Sequence, residues 1–377
     1  MGKPTALFVV GTRPDAIKSA PVVLEFQRFA DQVETVLVST GQHREMLDQA
    51  LGAFCLQTDV DLGLMHHGQT LASVTSLALS GLDKVLDEHS PDIVFGQGDT
   101  TTTLCAGLAA FYRKVPFGHI EAGLRTPSVW SPYPEELNRR ALGLFARLHF
   151  APTQWAADNL LAEGADPKTV LVTGNTGIDA VLAMAAMGSA LPFADHPGRV
   201  VLLTTHRREN WGEPQRHVAR AAHRLVEEFP DVLLVVPMHR NPAVREVLES
   251  VLGSTPRCEL IEPPDYVDFV QLMRRSALIL TDSGGVQEEA PAFGVPVLVL
   301  RETTERPEGL EAGTARLVGT DEEAVFSAAK ILLSDPAELA KMAHAANPYG
   351  DGLASQRVRR RAFEFLGLES PEVPAWG

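Results

Sequence analysis

One repeated unit constrains this chain more than any other feature. A short apolar run ends in a polar turn and is followed by a segment with helical spacing. The first half carries "TALFVVGT", "VETVLVST", "PDIVFGQGD", "VPFGHIEAG", "RLHFAPT" and "TVLVTGN". The second carries "RVVLLTTHR", "DVLLVVPMH", "CELIEP", "ALILTDSGG", "PVLVLRET" and "ARLVGT". These runs are rich in Val, Ile and Leu and apolar on both faces, the pattern of parallel strands covered by helices. Segments such as Val244–Val251 and His217–Phe229 have helical spacing. A single core stops growing near ~250–300 residues, and the chain has 377. The expectation is α/β with two Rossmann-like, doubly wound domains. The first would span 1–174 and the second 175–354, with "GSALPFADHPGR" (Gly188 to Arg199) as the linker.

The charge balance removes several functions. Lys and Arg number 33 against 48 Asp and Glu, a net charge of −15. Phosphate neutralisation needs the opposite excess, so a nucleic-acid partner is not expected. Cys55, Cys105 and Cys258 form no C-x-x-C pair and leave an odd one over, which fits a reducing compartment. No run approaches the ~20 apolar residues of a membrane span. "MGKPTALFVV" reads as a first strand rather than a signal peptide, and Ala6 stands where myristoylation wants Ser or Thr. A cytoplasmic protein without a membrane partner is expected.

Ligands of open α/β sheets sit outside the carboxyl ends of the strands. Those ends here read Thr12-Arg13, Thr40-Gly41-Gln42-His43, Gly98-Asp99, Glu121, His206-Arg207-Arg208, His239 and Asp282-Ser283-Gly284-Gly285. If both sheets turn these ends to one cleft, it holds carboxylates, imidazoles and guanidinium groups.

"GTRPDAIK" suggests a helix capped by Thr12 with Asp15 three residues on. Arg13 and Lys18 oppose the dipole of that first turn, which a bound anion would relieve. In "TDSGGVQEEA", Ser283, Gly284 and Gly285 let the backbone approach a diphosphate. Glu289 is open between a ribose contact and a solvated helix start. Asp99 is either a helix cap or a site carboxylate. Glu121, set directly after an apolar strand, points to function. Glu135 and Glu136 in "SPYPEELNRR" complement a helix N-terminus. His206 beside two Arg suits a base or a phosphate donor. Zinc-ligand spacing, G-x-S-x-G and a dinucleotide G-x-G-x-x-G are all missing from the sequence, so neither metal nor NAD is expected.

Taken together, "GTRPDAIKSAP", "GQHREMLDQAL", "GDTTTT", "GHIEAGLRT", "SPYPEELNRR", "HRREN", "TDSGGVQEEAP", "TTERPEG" and "NPYGDG" resemble the non-hydrolysing UDP-N-acetylglucosamine 2-epimerases. The motifs run in that family's order from Gly11 to Gly352. The resemblance implies a GT-B-like fold, two Rossmann-like domains facing across a cleft, with the final helix (about 355–377) returning to the first. It implies interconversion of UDP-GlcNAc and UDP-ManNAc without a cofactor, in a homodimer. It makes Asp99, Glu121, Glu135 and His206 the catalytic candidates. Arg13, Lys18, Phe269, Ser283, Gly284, Gly285, Glu289 and Arg306 become the substrate-binding candidates.

Regulated relatives bind a second UDP-GlcNAc. Gln42, Arg207 and His239 match that possible allosteric site, but Glu45 and Gly68 stand where those relatives tend to carry Gln and Arg. Weaker activation by UDP-GlcNAc is therefore expected. A hydrolysing epimerase, a GT-B glycosyltransferase and a non-catalytic nucleotide-sugar sensor are the alternatives.

Overall fold

The computed structural model describes residues 2–41, 44–64, 68–187 and 191–376; for residues 44–46 it describes the backbone alone. The chain divides into two compact units, Met1–Ala183 with Gly350–Gly377, and Met184–Tyr349.

In the first unit β1 (Thr5–Val10) leads to α1 (Arg13–Gln27), β2 (Glu34–Ser39) to α2 (Arg44–Ala53), and β3 (Val60–Asp61) to α3 (Leu71–His89). Then β4 (Ile93–Gln97) leads to α4 (Thr101–Tyr112) and β5 (Phe117–Ile120) to α5 (Glu135–Phe145). Finally β6 (Leu148–Ala151) leads to α6 (Gln154–Ala162) and β7 (Val170–Val172) to α7 (Thr176–Ala186). The strands are parallel in the order β3-β2-β1-β4-β5-β6-β7. All six residues of β1 are buried, as its two-sided apolar run requires. The two-residue β3 carries no apolar run and was not legible as a strand.

The second unit repeats the plan. Its strands are β8 (Arg199–Thr204), β9 (Val232–Pro237), β10 (Cys258–Ile261), β11 (Leu278–Thr281), β12 (Val297–Val299) and β13 (Ala315–Leu317). They are parallel, ordered β10-β9-β8-β11-β12-β13. The helices are α8 (Glu213–Glu228), α9 (Pro242–Leu252), α10 (Tyr266–Arg275), α11 (Gly284–Glu289), α12 (Pro307–Ala312), α13 (Glu322–Ser334) and α14 (Pro336–Ala343). Val218, Ala222, Leu225 and Val226 of α8 bury one helical stripe against Leu203, Leu234 and Val236 of the sheet. Each buried Val or Leu contributes about 1.5–3 kcal/mol.

The last helix, α15 (Ala354–Leu366), belongs to the first unit and packs on α1. Phe363 meets Phe26 edge-on at 5.4 Å between ring centroids. The buried Arg359 guanidinium lies 4.5 Å over the Phe29 ring, with its Nε 3.2 Å from Glu25 Oε1. Asp179 of α7 accepts from the backbone N–H groups of Ala354 (3.2 Å) and Ser355 (2.8 Å) and from the Ser355 hydroxyl (2.6 Å). These bonds satisfy N–H groups at the start of α15 and bind α7 into the first unit. Compactness accordingly divides the chain inside α7 rather than at Gly174. Gly188, Ser189 and Ala190 of the linker stretch lie outside the described residues.

In both sheets chain order reverses beside the first strand, between β1 and β4 and between β8 and β11. Such switch points are where doubly wound sheets place ligands.

Candidate functional site

At the first switch point β1 ends at Val10 and α1 begins at Arg13. Asp15 closes the predicted capping box, accepting from the N–H groups of Gly11 (3.1 Å) and Thr12 (2.7 Å). Burial outweighs these bonds and pushes its carboxyl up to about 6. Arg13 is half-buried and makes no hydrogen bond or ion pair among the described residues. Lys18, the other predicted anion ligand, donates from Nζ to both carboxylate oxygens of Glu121 at 2.8 Å.

Glu121 follows β5 with φ +63°, a left-handed conformation that costs a non-glycine residue about 1–2 kcal/mol. The Gln97 side-chain amide also donates to Glu121, while its own oxygen accepts from the Thr176 hydroxyl at 3.4 Å. Gln97 pairs with Ile120 across β4 and β5, so Asp99 and Glu121 leave neighbouring strands at the same sheet edge.

Asp99 is not the cap of α4. Thr100 takes that position and accepts from the Thr103 N–H. The Asp99 carboxylate instead receives Arg139, at 2.8 Å from Nε and 2.6 Å from Nη2. Arg139 lies one turn after Glu135 on the same face of α5.

The two glutamates opening α5 are unlike. Glu136 is fully buried and accepts from the Thr126 N–H (3.1 Å), Arg139 (3.2 Å) and Arg140 (2.8 Å). Glu135 is half-buried and has no hydrogen-bond or ion-pair partner among the described residues.

Below this edge lie two buried imidazoles facing across β5 and β6, His119 and His149. His119 Nε2 is 2.7 Å from the Gly98 carbonyl. Burial, then the charges of Arg125 and Arg139, push His119 down to about 4 against that carbonyl. Burial, His119 and Arg125 take His149 to about 4.

At the second switch point His206 follows β8 and Asp282 follows β11, on paired strands. Asp282 is completely buried and lies 3.0 Å from His206 Nδ1. It also accepts from the N–H of His206 (3.1 Å to each oxygen), the N–H of Arg207 (3.1 Å) and the Asn210 amide (2.9 Å). Burial alone would raise this carboxyl; the His206 ring and these donors hold it below its ordinary value.

Ser283 caps α11, as its Ser-Gly-Gly context suggests. Arg306 lies against Gly284, where an added Cβ would come within 2.9 Å of the guanidinium carbon. Arg306 Nε donates to Glu288 at 2.7 Å. Its loop is anchored by buried Arg301, which binds Glu209 (3.0 Å) and Glu305 (2.7 Å). The Arg301 bond holds the Glu305 carboxyl down at about 2. Phe269 is half-buried on α10, and Glu289 is half-buried at the end of α11.

Of the possible allosteric residues, Arg207 donates to the Asp282 carbonyl at 2.9 Å and His239 is exposed. Gln42 lies outside the described residues, as does the side chain of Glu45.

Sequence reasoning left Gln97, Arg139 and Asp282 unassigned. Each carried a signal: Gln97 and Asp282 stand at strand ends, and Arg139 stands four residues after Glu135.

The family model for UDP-N-acetylglucosamine 2-epimerase matches residues 27–361. The Bacillus subtilis (strain 168) UDP-N-acetylglucosamine 2-epimerase is 52% identical over 360 residues, 95% of this chain and 94% of that protein. The fold superposes on the S. aureus MnaA–UDP structure with a TM-score of 0.89 at 45% identity, over 99% of this chain and 100% of that one. The Neisseria meningitidis UDP-GlcNAc 2-epimerase bound to UDP-GlcNAc gives 0.85 at 45% identity, over 96% and 100%. With a family model spanning most of its length and a relative more than half identical from end to end, the chain belongs to the UDP-N-acetylglucosamine 2-epimerase family.

Proposed function

We propose that this enzyme interconverts UDP-GlcNAc and UDP-ManNAc by inverting C2, without hydrolysing the substrate. The observation that carries the reading is the carboxylate set of the first unit. Asp99 and Glu121 stand at one sheet edge, each paired to a cation, and Glu135, one turn before Arg139, has no partner among the described residues. The bound UDP-GlcNAc of the Neisseria enzyme and the UDP of the S. aureus protein support the nucleotide-sugar substrate.

The C2–H bond of the sugar has no adjacent carbonyl, so direct deprotonation is slow. Breaking C1–O first sends the bonding pair to UDP and leaves an oxocarbenium-like C1. The C2 proton then passes to a carboxylate, and the C–H pair forms C1=C2 of a 2-acetamidoglucal. Return of a proton to the opposite face of C2 and attack of a UDP oxygen on C1 complete the inversion. This route needs proton-transfer groups and stabilisation of departing diphosphate. Asp99, Glu121 and Glu135 supply the former, and Glu135, with no ion pair among the described residues, is suited to carry the proton. Arg13, Ser283, Gly284, Gly285 and Arg306, with His206 as donor, serve the diphosphate. Lys18 serves the substrate through Glu121, Phe269 lies near the uracil and Glu289 near the ribose.

Proton NMR of UDP-GlcNAc with the enzyme in D2O, with no acceptor or added cofactor, tests this. UDP-ManNAc deuterated at C2 with little free UDP is expected. Accumulating UDP with free ManNAc would make the enzyme hydrolysing, and undeuterated UDP-GlcNAc would remove the catalytic roles of the three carboxylates.

The same reading places the enzyme in the cytoplasm as a homodimer. Phe111, Tyr112 and Leu144 of the first unit, 57%, 64% and 87% exposed, support self-association there. Activation by UDP-GlcNAc through Gln42, Arg207 and His239 is reduced by Glu45 and Gly68. Turnover of pure UDP-ManNAc that stays negligible until traces of UDP-GlcNAc are added would overturn that point.

A further inference from the structure

His206 is nearly half exposed, its side chain being 46% accessible, while Asp282 behind it is 0% exposed. The ring meets this carboxylate through one nitrogen, Nδ1, at 3.0 Å. Its other nitrogen, Nε2, makes no hydrogen bond or ion pair among the described residues. The residue is gripped twice, since its backbone N–H also bonds both Asp282 oxygens. The Arg207 N–H and the Asn210 amide use further acceptor positions of the same carboxylate. An ionised carboxylate only accepts hydrogen bonds, so the ring atom facing Asp282 must carry a proton. In the neutral ring this selects the Nδ1–H tautomer and leaves the Nε2 lone pair outward.

We propose that Asp282 is a positioning residue for His206. Its carboxylate binds Nδ1–H, fixes the ring plane and presents Nε2 as the atom that exchanges a proton. When Nε2 is protonated, the buried carboxylate balances the imidazolium, and the Nε2–H can donate to an oxygen of the leaving diphosphate. The proton returns to Nε2 or remains on it as UDP adds back, so no other reactant is needed. The inference rests on the proposed role of His206 and adds the group that orients it. No local motif joins the two residues, which stand 76 positions apart in the chain.

The test is 15N NMR of the full-length enzyme labelled at histidine, with the His206 signals assigned by their loss in His206→Gln. The neutral wild-type ring is expected to show a protonated Nδ1 and a bare Nε2; the reverse pattern overturns the proposal without any Asp282 variant. Asp282→Asn turns an N–H donor toward Nδ1 and is expected to move the ring to the Nε2–H tautomer. It should lower kcat by on the order of 10²-fold while the Kd for UDP stays within about threefold. An unchanged tautomer, or kcat within about twofold of wild type, overturns it. If Asp282→Asn does not fold, the wild-type tautomer decides. Full activity in His206→Gln would remove His206 from the reaction, and Asp282 with it as a positioning residue, whereas a wrong tautomer beside an inactive His206→Gln would remove Asp282 alone.

Discussion

The ammonium of Lys18 lies 2.8 Å from each carboxylate oxygen of Glu121, 103 residues further along the chain. The pair is largely buried, at 21% and 10% side-chain exposure. Lys18, expected at the substrate, pairs with a carboxylate, while Arg13, five residues earlier, is unpaired among the described residues.

That division separates two kinetic effects. Lys18→Met is expected to lower kcat by on the order of 10²-fold while changing the Kd for UDP less than about threefold. Arg13→Ala is expected to weaken UDP binding about tenfold or more, the scale of one charge-assisted hydrogen bond. Calorimetric titration with UDP beside steady-state kinetics checks both. Equal losses of UDP affinity would return Lys18 to the diphosphate.

Glu135 and Glu136 are neighbours with opposite expected phenotypes. Glu135→Gln removes a carboxylate without a partner among the described residues, so it should leave the Tm within about 2 °C and lower kcat by on the order of 10³-fold. Glu136→Gln removes the charge between Arg139 and Arg140 at a fully buried position. It should cost about 3 kcal/mol, read by urea denaturation. A destabilised Glu135→Gln beside a stable Glu136→Gln would reverse the assignment.

The docking of α15 rests on Phe363 and Asp179. Phe363→Ala should cost about 3–5 kcal/mol, and Asp179→Ala about 1–2 kcal/mol through the lost helix start. Hydrogen exchange should rise in α15 and α1 together. Faster exchange in α15 alone, with α1 unchanged, would show that the contact does not stabilise both helices.

His119 and His149 make the first unit acid-sensitive. Their folded pKa values are pushed down to about 4, so the unfolded chain binds more protons between about pH 6.5 and 4. Stability is fully present above that window and falls as pH drops through it, by up to about 3 kcal/mol per histidine. Asp15 acts in the opposite sense: its carboxyl is raised to about 6, so it disfavours the folded state as pH rises from about 4 to 6. Comparison with His149→Leu isolates the histidine contribution. The variant should lose less stability than wild type between pH 6.5 and 4.5 in urea titrations, and equal losses would count against the buried neutral imidazole.

Residue type and alternation alone determine much of this protein. Val, Ile and Leu runs apolar on both faces can be satisfied only between two helical layers, so the parallel sheets were legible. So were the strand-end residues, because the chain must turn there and polar groups must leave the core. The exception, β3, owes its pairing to β2 rather than to any apolar run of its own.

The site needed the third dimension. Whether Lys18 meets a phosphate or Glu121, and whether Asp99 caps a helix or binds Arg139, depend on partners far away in the chain, and which of Glu135 and Glu136 is saturated depends on which of them is buried against Thr126, Arg139 and Arg140. Burial decides these questions as well, because it changes the cost of leaving each charge or donor unpaired. Helical and strand periodicity identifies the elements because it is a local property. Ion pairing and desolvation are properties of the packed whole, and only the tertiary structure placed Asp282 behind His206.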